Sequence, residues 1–188
     1  EYDGFEFCQI QYNYIDEDGE KRTQNPGWQG LKYAAKKELG VIIMEPLRGG
    51  LLANPPVGVR NIFAEADVPR LPAEWALRFI WENQEVVTAL SGMNSEDQVM
   101  VNCAVASTAF PNSMPTSQME VIKKAQSWFD SKIKVPCTGC KYCLPCPKGV
   151  EIPSIFDHFN TASMRGLLEE KETILFTDYK NMVDRNQG

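Results

Sequence analysis

Apolar residues occur along the chain in short runs that alternate with stretches of helical spacing. Phe5 to Ile15 is rich in aromatic and β-branched side chains and predicts a strand. Val41 to Glu45 and Val86 to Leu90 are shorter and mainly apolar. Such runs are typical of strands that a parallel sheet buries on both faces. The pattern therefore predicts three strands of a parallel sheet.

Helical periodicity and helix-start residues lie between and after these strands. The predicted helices are Pro26 or Gly27 to Leu39 with Asn25 as N-cap, Ala73 to Asn83 directly after Pro72, and Ser95 to about Ser107 with a serine cap. The charged residues Asp16 to Arg22 predict a loop, and Ala53 to Leu71 predicts a second loop that contains one short helix. Alternating strands and helices predict an α/β fold with crossover helices.

The pattern changes after a Pro- and Ser-rich segment from Pro111 to Thr116. One amphipathic helix, Ser117 to Ser131, leads to a cysteine-rich loop, and two short helices are predicted beyond it. We therefore predict two domains, an α/β part at 1–110 and a small helical part at 111–188.

Composition and charge narrow the function classes. A net charge of −6 over 188 residues argues against a nucleic-acid partner. No apolar run approaches the length of a membrane span. Because the sequence lacks a signal peptide, we expect a protein of the reducing cytoplasm. Cys8 and Cys103 lie in apolar contexts and are interpreted as buried side chains, although either could supply a remote metal ligand.

Four further cysteines fall within ten residues: Cys137, Cys140, Cys143 and Cys146. Repeated Cys-x-x-Cys intervals let one loop surround a metal centre, and Gly139 permits the bend. Pro147 follows the last cysteine as in bacterial ferredoxins, but their spacing has three residues before the final Cys-Pro and this run has two. The run predicts an iron–sulfur cluster and leaves open whether four cysteines or three bind it.

Zinc and plain thiols are the alternatives to a cluster. Structural zinc usually takes two Cys-x-x-Cys pairs separated by about a dozen residues or more, which this run lacks. A disulfide would need an oxidising compartment, which the sequence does not indicate. The cluster is therefore the favoured interpretation, and zinc is the less favoured metal.

Two of the predicted strands end in turns suited to anions. Met44 to Gly50 places an arginine and two glycines after the second strand, and Ser91 to Gln98 places backbone N–H groups at a helix start. In a (β/α)₈ barrel the loops after the last strands form the usual phosphate site. Neither feature alone is specific, because a Gly-Gly turn is most often only a turn and a capped helix start is most often only that.

In this order, the segments resemble the aldo/keto reductases, and more closely the branch with a C-terminal ferredoxin-like domain. The segments that carry the resemblance are Gln9 to Asp16, Val41 to Leu51, Trp75 to Arg78, Leu90 to Asn94, and the stretch from Asn102 into the cysteine run. The resemblance implies the C-terminal part of a (β/α)₈ TIM barrel, about strands six to eight, followed by a small helical domain with a 4Fe-4S cluster. The shortened cysteine spacing is similar to that of the same branch.

The resemblance implies roles around a nicotinamide cofactor, NADP(H) or NAD(H). Gln9 would hydrogen-bond the nicotinamide carboxamide, and Met44 stands where many relatives stack an aromatic ring. The turn from Glu45 would cover the pyrophosphate, with Arg48 as a phosphate partner. The implied cofactor-binding residues are Gln9, Met44, Glu45, Pro46, Leu47, Arg48, Gly49, Gly50, Ser91, Gly92, Met93, Asn94, Ser95, Asp97, Gln98 and Asn102.

Within that set, Gly92 to Ser95 would meet the 2′-phosphate ribose, while Asp97, Gln98 and Asn102 would lie near adenosine. Relatives that prefer NADPH place a basic residue where this sequence has Asn94 and Ser95. The preference for NADP is therefore implied by the family and not by these residues.

The resemblance also implies what lies outside this sequence. The family's Asp, Tyr, Lys and His acid–base residues would precede Glu1, and the only histidine, His158, is interpreted as a surface helix residue. We assign no catalytic residue and expect this chain alone to be inactive. The intact protein would transfer hydride between the nicotinamide and a carbonyl or alcohol, with the cluster as a relay to a redox partner or as a structural element.

An alternative makes the chain an electron-transfer or structural metal-binding module on a non-catalytic barrel remnant. In either case the sheet would have two unpaired edges and an exposed apolar face, from which we expect self-association.

Overall fold

The computed structural model describes residues 4–17, 26–137, 139–168 and 180. Strands and helices follow one another along these residues. They are β1 (Phe7–Gln11), α1 (Gly27–Lys36), β2 (Gly40–Met44), α2 (Val57–Ala64), α3 (Pro72–Trp81), β3 (Val86–Ala89), α4 (Glu96–Ala106), α5 (Thr116–Lys132) and α6 (Ile152–Met164). The predicted α/β class is confirmed.

The three strands form one parallel sheet in the order β1-β2-β3. Gln9 lies opposite Ile42 and Gln11 opposite Met44, while the β2–β3 register is irregular between Val41 and Ile42. Because all strands run in the same direction, their carboxyl ends meet at one edge of the sheet. The turns that follow β2 and β3 therefore begin at that same edge.

The first strand is shorter than predicted, because the chain leaves the sheet after Gln11. The side-chain oxygen of Asn13 accepts hydrogen bonds from the backbone N–H groups of Ile15 and Asp16, each at 3.0 Å. An Asn side chain that binds nearby backbone in this way competes with strand pairing. The segment is nevertheless buried, with Tyr12 and Tyr14 at most 1% exposed. The strand-like apolar pattern of residues 12–15 therefore reflects a buried loop.

The first helix ends at Lys36, three residues before the predicted Leu39. Glu38 has a positive φ of 60°, and the N–H of Leu39 donates to the carbonyl oxygen of Ala34 at 3.0 Å. This is the left-handed type of helix ending, which usually requires glycine. The predicted cap Asn25 and most of the charged loop lie outside the described residues.

The other predicted elements agree with the structure to within one or two residues at each end. The short helix expected between Ala53 and Leu71 is α2. Beyond the cysteine loop the structure describes α6, and the second short helix predicted there falls largely outside the described residues.

One face of the sheet is covered by helices and contributes Ile10, Val41 and Ile43 to the core. Helix α5 reaches the same core through Ile122, Ala125 and Phe129, which are fully buried. The Gln126 amide also donates to the carbonyl oxygen of Tyr14 at 2.7 Å. Helix α5 therefore shares the core of the sheet. The predicted domain boundary near residue 110 stays a prediction.

The opposite face of the sheet is largely uncovered in the described part of the chain. Phe7 on β1 and Val87 on β3 are 61% and 70% exposed. Within the described ranges, no helix combines the length and apolar character needed to cross a bilayer.

Candidate functional site

The uncovered face of the sheet carries two of the predicted cofactor residues, Gln9 and Met44. They are 35 residues apart in the chain, yet the Gln9 side-chain nitrogen Nε2 lies 3.3 Å from the Met44 sulfur. Both side chains are exposed. A thioether is a weak acceptor, so the Gln9 amide can exchange this contact for a stronger acceptor without a large energetic cost.

The turn after β2 has an unusual backbone. Glu45, Arg48, Gly49 and Gly50 all have positive φ, between 46° and 84°. The Glu45 carboxylate accepts a hydrogen bond from the N–H of Gly49 at 2.6 Å, which ties the turn together. A side chain at either glycine would meet nothing within 4 Å, so open space surrounds the backbone here. The turn can therefore be approached closely, while its φ values favour glycine.

The apolar residues of the turn after β2 attach it to the hydrophobic core. Pro46 is buried and Leu47 is partly buried against the hydrophobic core. The N–H of Leu52 donates to the carbonyl oxygen of Leu47 at 3.1 Å. The turn is thus anchored by its apolar residues and leaves its glycines to solvent.

Arg48 does not lie in open solvent. Its Nη1 atom is 3.0 Å from Oδ1 of Asp16, which is fully buried. The other oxygen of Asp16 accepts hydrogen bonds from the side-chain amides of Gln11 and Asn13, both at 2.9 Å. The Asn13 amide also donates to the carbonyl oxygen of Glu45 at 3.0 Å, which joins the ends of β1 and β2.

Sequence reasoning missed this polar cluster of Gln11, Asn13, Asp16 and Arg48. Its one visible sign is the placement of Asn13 and Asp16 beside aromatic residues that are otherwise buried. The proposed role of Arg48 toward phosphate stays a prediction, since the guanidinium is paired with a carboxylate here.

The turn after β3 is closed by side-chain hydrogen bonds. Ser95 caps α4 as predicted, accepting from the N–H of Gln98 at 3.4 Å. The Gln98 side-chain oxygen accepts from the N–H of Asn94 at 2.9 Å, and the Asn102 amide donates to the Ser91 hydroxyl at 3.2 Å. These predicted residues therefore belong to one connected turn, with Gly92 and Met93 exposed on it.

The first turn of α4 also carries Glu96 and Asp97. Carboxylates there stabilise the positive end of the helix. They also repel a further anion, which weakens the case for a 2′-phosphate at this helix start.

The four clustered cysteines form no disulfide: Cys137 and Cys146 are partly buried, whereas Cys140 and Cys143 are exposed. In the described ranges, no group of three or more Cys, His, Asp or Glu side chains is placed to hold a metal ion. Four soft thiolates suit an iron–sulfur cluster in donor chemistry. Their placement does not assemble such a set, so the 4Fe-4S cluster and the alternative zinc site both stay predictions.

The cysteine loop is nevertheless held at its entrance. Asn160 on α6 is 8% exposed, and its side-chain oxygen accepts from the N–H groups of Lys134 and Val135, both at 3.0 Å. Its amide donates back to the carbonyl oxygen of Val135 at 2.6 Å. Gly139 has a φ of 69°, so the bend expected at this glycine is present.

The two isolated cysteines differ. Cys8 on β1 is partly buried, and burial raises the pKa of its thiol. Cys103 on α4 is exposed, so the expectation that it is buried was wrong. The reason is that only Val105 of α4 is buried, and the apolar character of the helix does not correspond to a covered face. His158 lies partly buried on α6.

Among known proteins, the likeness found is to solved structures. No protein-family model matches the chain, and no curated protein matches it. Among solved structures, the chain is similar to the holo form of aldo-keto reductase AKR11C1 from Bacillus halodurans, with 20% identity over 62% of this chain and 41% of that chain, and a TM-score of 0.46. For the apo form the values are 20%, 62%, 42% and 0.46. The chain thus spans about two fifths of the length of these structures, and a likeness at this level assigns neither family nor activity.

Proposed function

We propose that this chain supplies the nucleotide-binding end of a nicotinamide-dependent oxidoreductase of the aldo/keto reductase type. The observation that carries the proposal is the contact between Gln9 and Met44 on the uncovered face of a parallel sheet. Ligands of such sheets bind at the carboxyl ends of the strands. The open Gly49–Gly50 backbone begins at that edge and supports the same assignment.

The roles follow from the chemistry of these groups. The nicotinamide cofactor supplies the hydride, and the substrate would be a small carbonyl compound or alcohol. The Gln9 amide would bind the carboxamide, and the Met44 thioether would lie against the ring. Backbone N–H groups of the glycine turn would face the pyrophosphate. None of these groups is an acid or base suited to protonating a carbonyl. This chain would therefore bind and orient the nicotinamide cofactor.

The proposal is tested by titrating NADPH into the full chain and following its fluorescence. We expect Gln9→Leu to weaken binding about tenfold, the equivalent of about 1.4 kcal/mol for a lost hydrogen bond. Gln29→Leu, an exposed glutamine on α1, is the matched control and should bind as the unsubstituted chain does. No saturable binding by the full chain, or equal weakening in both variants, would contradict the proposal. The same titration with NADH decides which nucleotide is preferred.

We infer a second function for the cysteine loop, the binding of a 4Fe-4S cluster as an electron relay or a structural element. Four thiolates within ten residues support it, as do the left-handed backbone at Gly139 and the anchoring of the loop by Asn160. If the chain binds the cluster but not NADPH, it would be a metal-binding module on a non-catalytic barrel remnant.

Anaerobic preparation followed by iron and sulfide analysis tests the cluster. We expect both elements to be present, with visible absorbance that dithionite bleaches. Cys143→Ser should remove the absorbance, whereas Cys103→Ser, the exposed cysteine of α4, should retain it. Zinc without colour would instead support the other metal, and metal-free protein would contradict both.

A further inference from the structure

A cavity of about 750 Å³ opens beside the turn that follows β2. It lies where this turn meets the start of α2 and the ends of α5 and α6. Small-molecule sites in proteins are typically about 300–1,000 Å³, so the cavity is large enough for a ligand. It was not among the sites predicted from the sequence.

The charge of its lining is one-sided. Arg60, Lys132 and Arg165 line the cavity, and its described lining contains no Asp or Glu. The ion pairs seen between described residues, Lys32–Glu85, Arg48–Asp16, Arg70–Glu74 and Arg78–Glu74, involve none of these three side chains. In a protein with a net charge of −6, three cations at one concave site whose described lining holds no carboxylate are a local reversal of sign. Such a site attracts anions and raises their local concentration.

The aromatic wall of the cavity fixes one of these cations. The Lys132 ammonium lies 5.0 Å from the centre of the Trp128 ring. Trp128 packs edge-to-face on Phe129, with ring centres 5.3 Å apart, and Phe129 is fully buried. A Cβ atom on Gly58 would overlap the indole, so glycine at this position permits α2 to pack against Trp128. The indole is therefore held between α2 and the core.

The end of α6 positions the second cation, Arg165. Arg165 follows the last residue of α6, and Gly166 has a φ of 76°. The N–H of Leu167 donates to the carbonyl oxygen of Ala162 at 2.9 Å, which closes the left-handed ending that positions the Arg165 backbone.

Helix stability accounts for only part of this arrangement. A cation at the C-terminal end of a helix is favoured by the helix dipole, which suffices for Lys132 and Arg165 taken singly. Arg60 lies in the interior of α2, where that explanation does not apply. Three elements thus bring cations to one cavity whose floor includes Gly49 and Gly50.

We propose that this cavity binds a phosphate-bearing small molecule. Arg60, Lys132 and Arg165 would bind the phosphate oxygens, and the Trp128 ring would flank the rest of the ligand. The proposal goes beyond the nucleotide site above. It shares the two glycines with that site, but its cations come from α2, α5 and the end of α6.

Inorganic pyrophosphate is the probe, titrated calorimetrically into the full chain with ionic strength held constant by sodium chloride. We expect saturable binding that Lys132→Glu weakens tenfold or more. Lys123→Glu makes the same change of charge at an exposed position of the same helix and should leave binding unchanged. Absent binding, or equal loss in both variants, overturns the proposal. Arg60→Glu, which leaves the Trp128 contact intact, should repeat the loss if Lys132→Glu disturbs folding.

A parallel NADPH titration separates this proposal from the nucleotide site. Loss of pyrophosphate binding in Lys132→Glu with NADPH binding retained supports a distinct site. Pyrophosphate binding by a chain that does not bind NADPH contradicts only the nucleotide proposal. Equal loss of both ligands in Lys132→Glu overturns the distinct site, because the cavity would then belong to the nucleotide.

Discussion

Tyr12 and Tyr14 are both buried after the end of β1, but their hydroxyl groups have different surroundings. The Tyr12 hydroxyl has the polar side chain of Asn83 near it, which offsets part of the rise in the pKa of the phenol that burial causes. The Tyr14 hydroxyl has no hydrogen-bond partner among the described residues, although its ring packs on Phe79 and Phe129. A buried hydroxyl without a partner costs free energy that a phenyl ring avoids.

We therefore expect Tyr14→Phe to raise the free energy of unfolding by about 1 kcal/mol, and Tyr12→Phe, which removes a hydroxyl with a polar neighbour, to give no such gain. Urea denaturation of the two variants measures both values. A Tyr14→Phe variant less stable than the unsubstituted chain would show that its hydroxyl has a partner.

The same two tyrosines predict how stability depends on alkaline pH. Burial raises the pKa of both phenols well above the usual value, and for Tyr12 the nearby Glu17 raises it further. The neutral form is thus favoured in the folded state, so this stability is complete below the unfolded pKa of about 10 and is lost as pH rises above it. Stability should fall between about pH 10 and 12, less steeply in Tyr14→Phe, as urea midpoints across this range would reveal.

The charge of Asp16 is buried and depends on Arg48, Gln11 and Asn13. Removing one member of a buried charge pair leaves the other without compensation. Asp16→Ala should lower the free energy of unfolding by about 3 kcal/mol, whereas Asp67→Ala in an exposed loop should change it by less than about 0.5 kcal/mol. Equal urea midpoints for the two variants would contradict a stabilising role for the cluster.

At the scale of elements, apolar periodicity was sufficient to predict the three strands and the parallel sheet. It failed where a side chain decides the backbone, as at Asn13, because the choice between strand pairing and a local side-chain bond does not affect hydrophobicity. The turns after β2 and β3 were predictable in the same way, and the binding roles of their residues stay predictions. The pairing of Arg48 with Asp16 was not predictable, because it depends on packing between distant segments.

The entrance to the cysteine loop depends on one side chain of α6. Because Asn160 makes three hydrogen bonds to residues 134 and 135, Asn160→Ala leaves these backbone groups without partners. We expect hydrogen exchange at the amides of Lys134 and Val135 to accelerate about tenfold or more, as local opening becomes about 1.4 kcal/mol easier or more.

Asn102→Ala, which removes a single side-chain bond to Ser91, serves as the control and should leave those two amides unchanged. If exchange at 134 and 135 is the same in both variants, Asn160 does not anchor the loop.

At the scale of the whole molecule, the sheet has an uncovered face and β3 lies at its edge within the described residues. Edge strands with exposed apolar residues favour pairing with another chain. We expect concentration-dependent self-association, observed by sedimentation velocity.

Val87→Lys on β3 should reduce that association, whereas Val68→Lys in the exposed loop before α3 should not. A chain that stays monomeric at all concentrations would contradict the expectation.

The contact of Gln126 with Tyr14 joins residues 112 positions apart. During synthesis, the carbonyl group of Tyr14 therefore cannot accept this hydrogen bond until α5 has left the ribosome. Until then Tyr14 lacks its packing against Phe129. The nascent chain thus offers a long interval for chaperone binding, and its β1 region should be among the last to gain protection in a vectorial folding experiment.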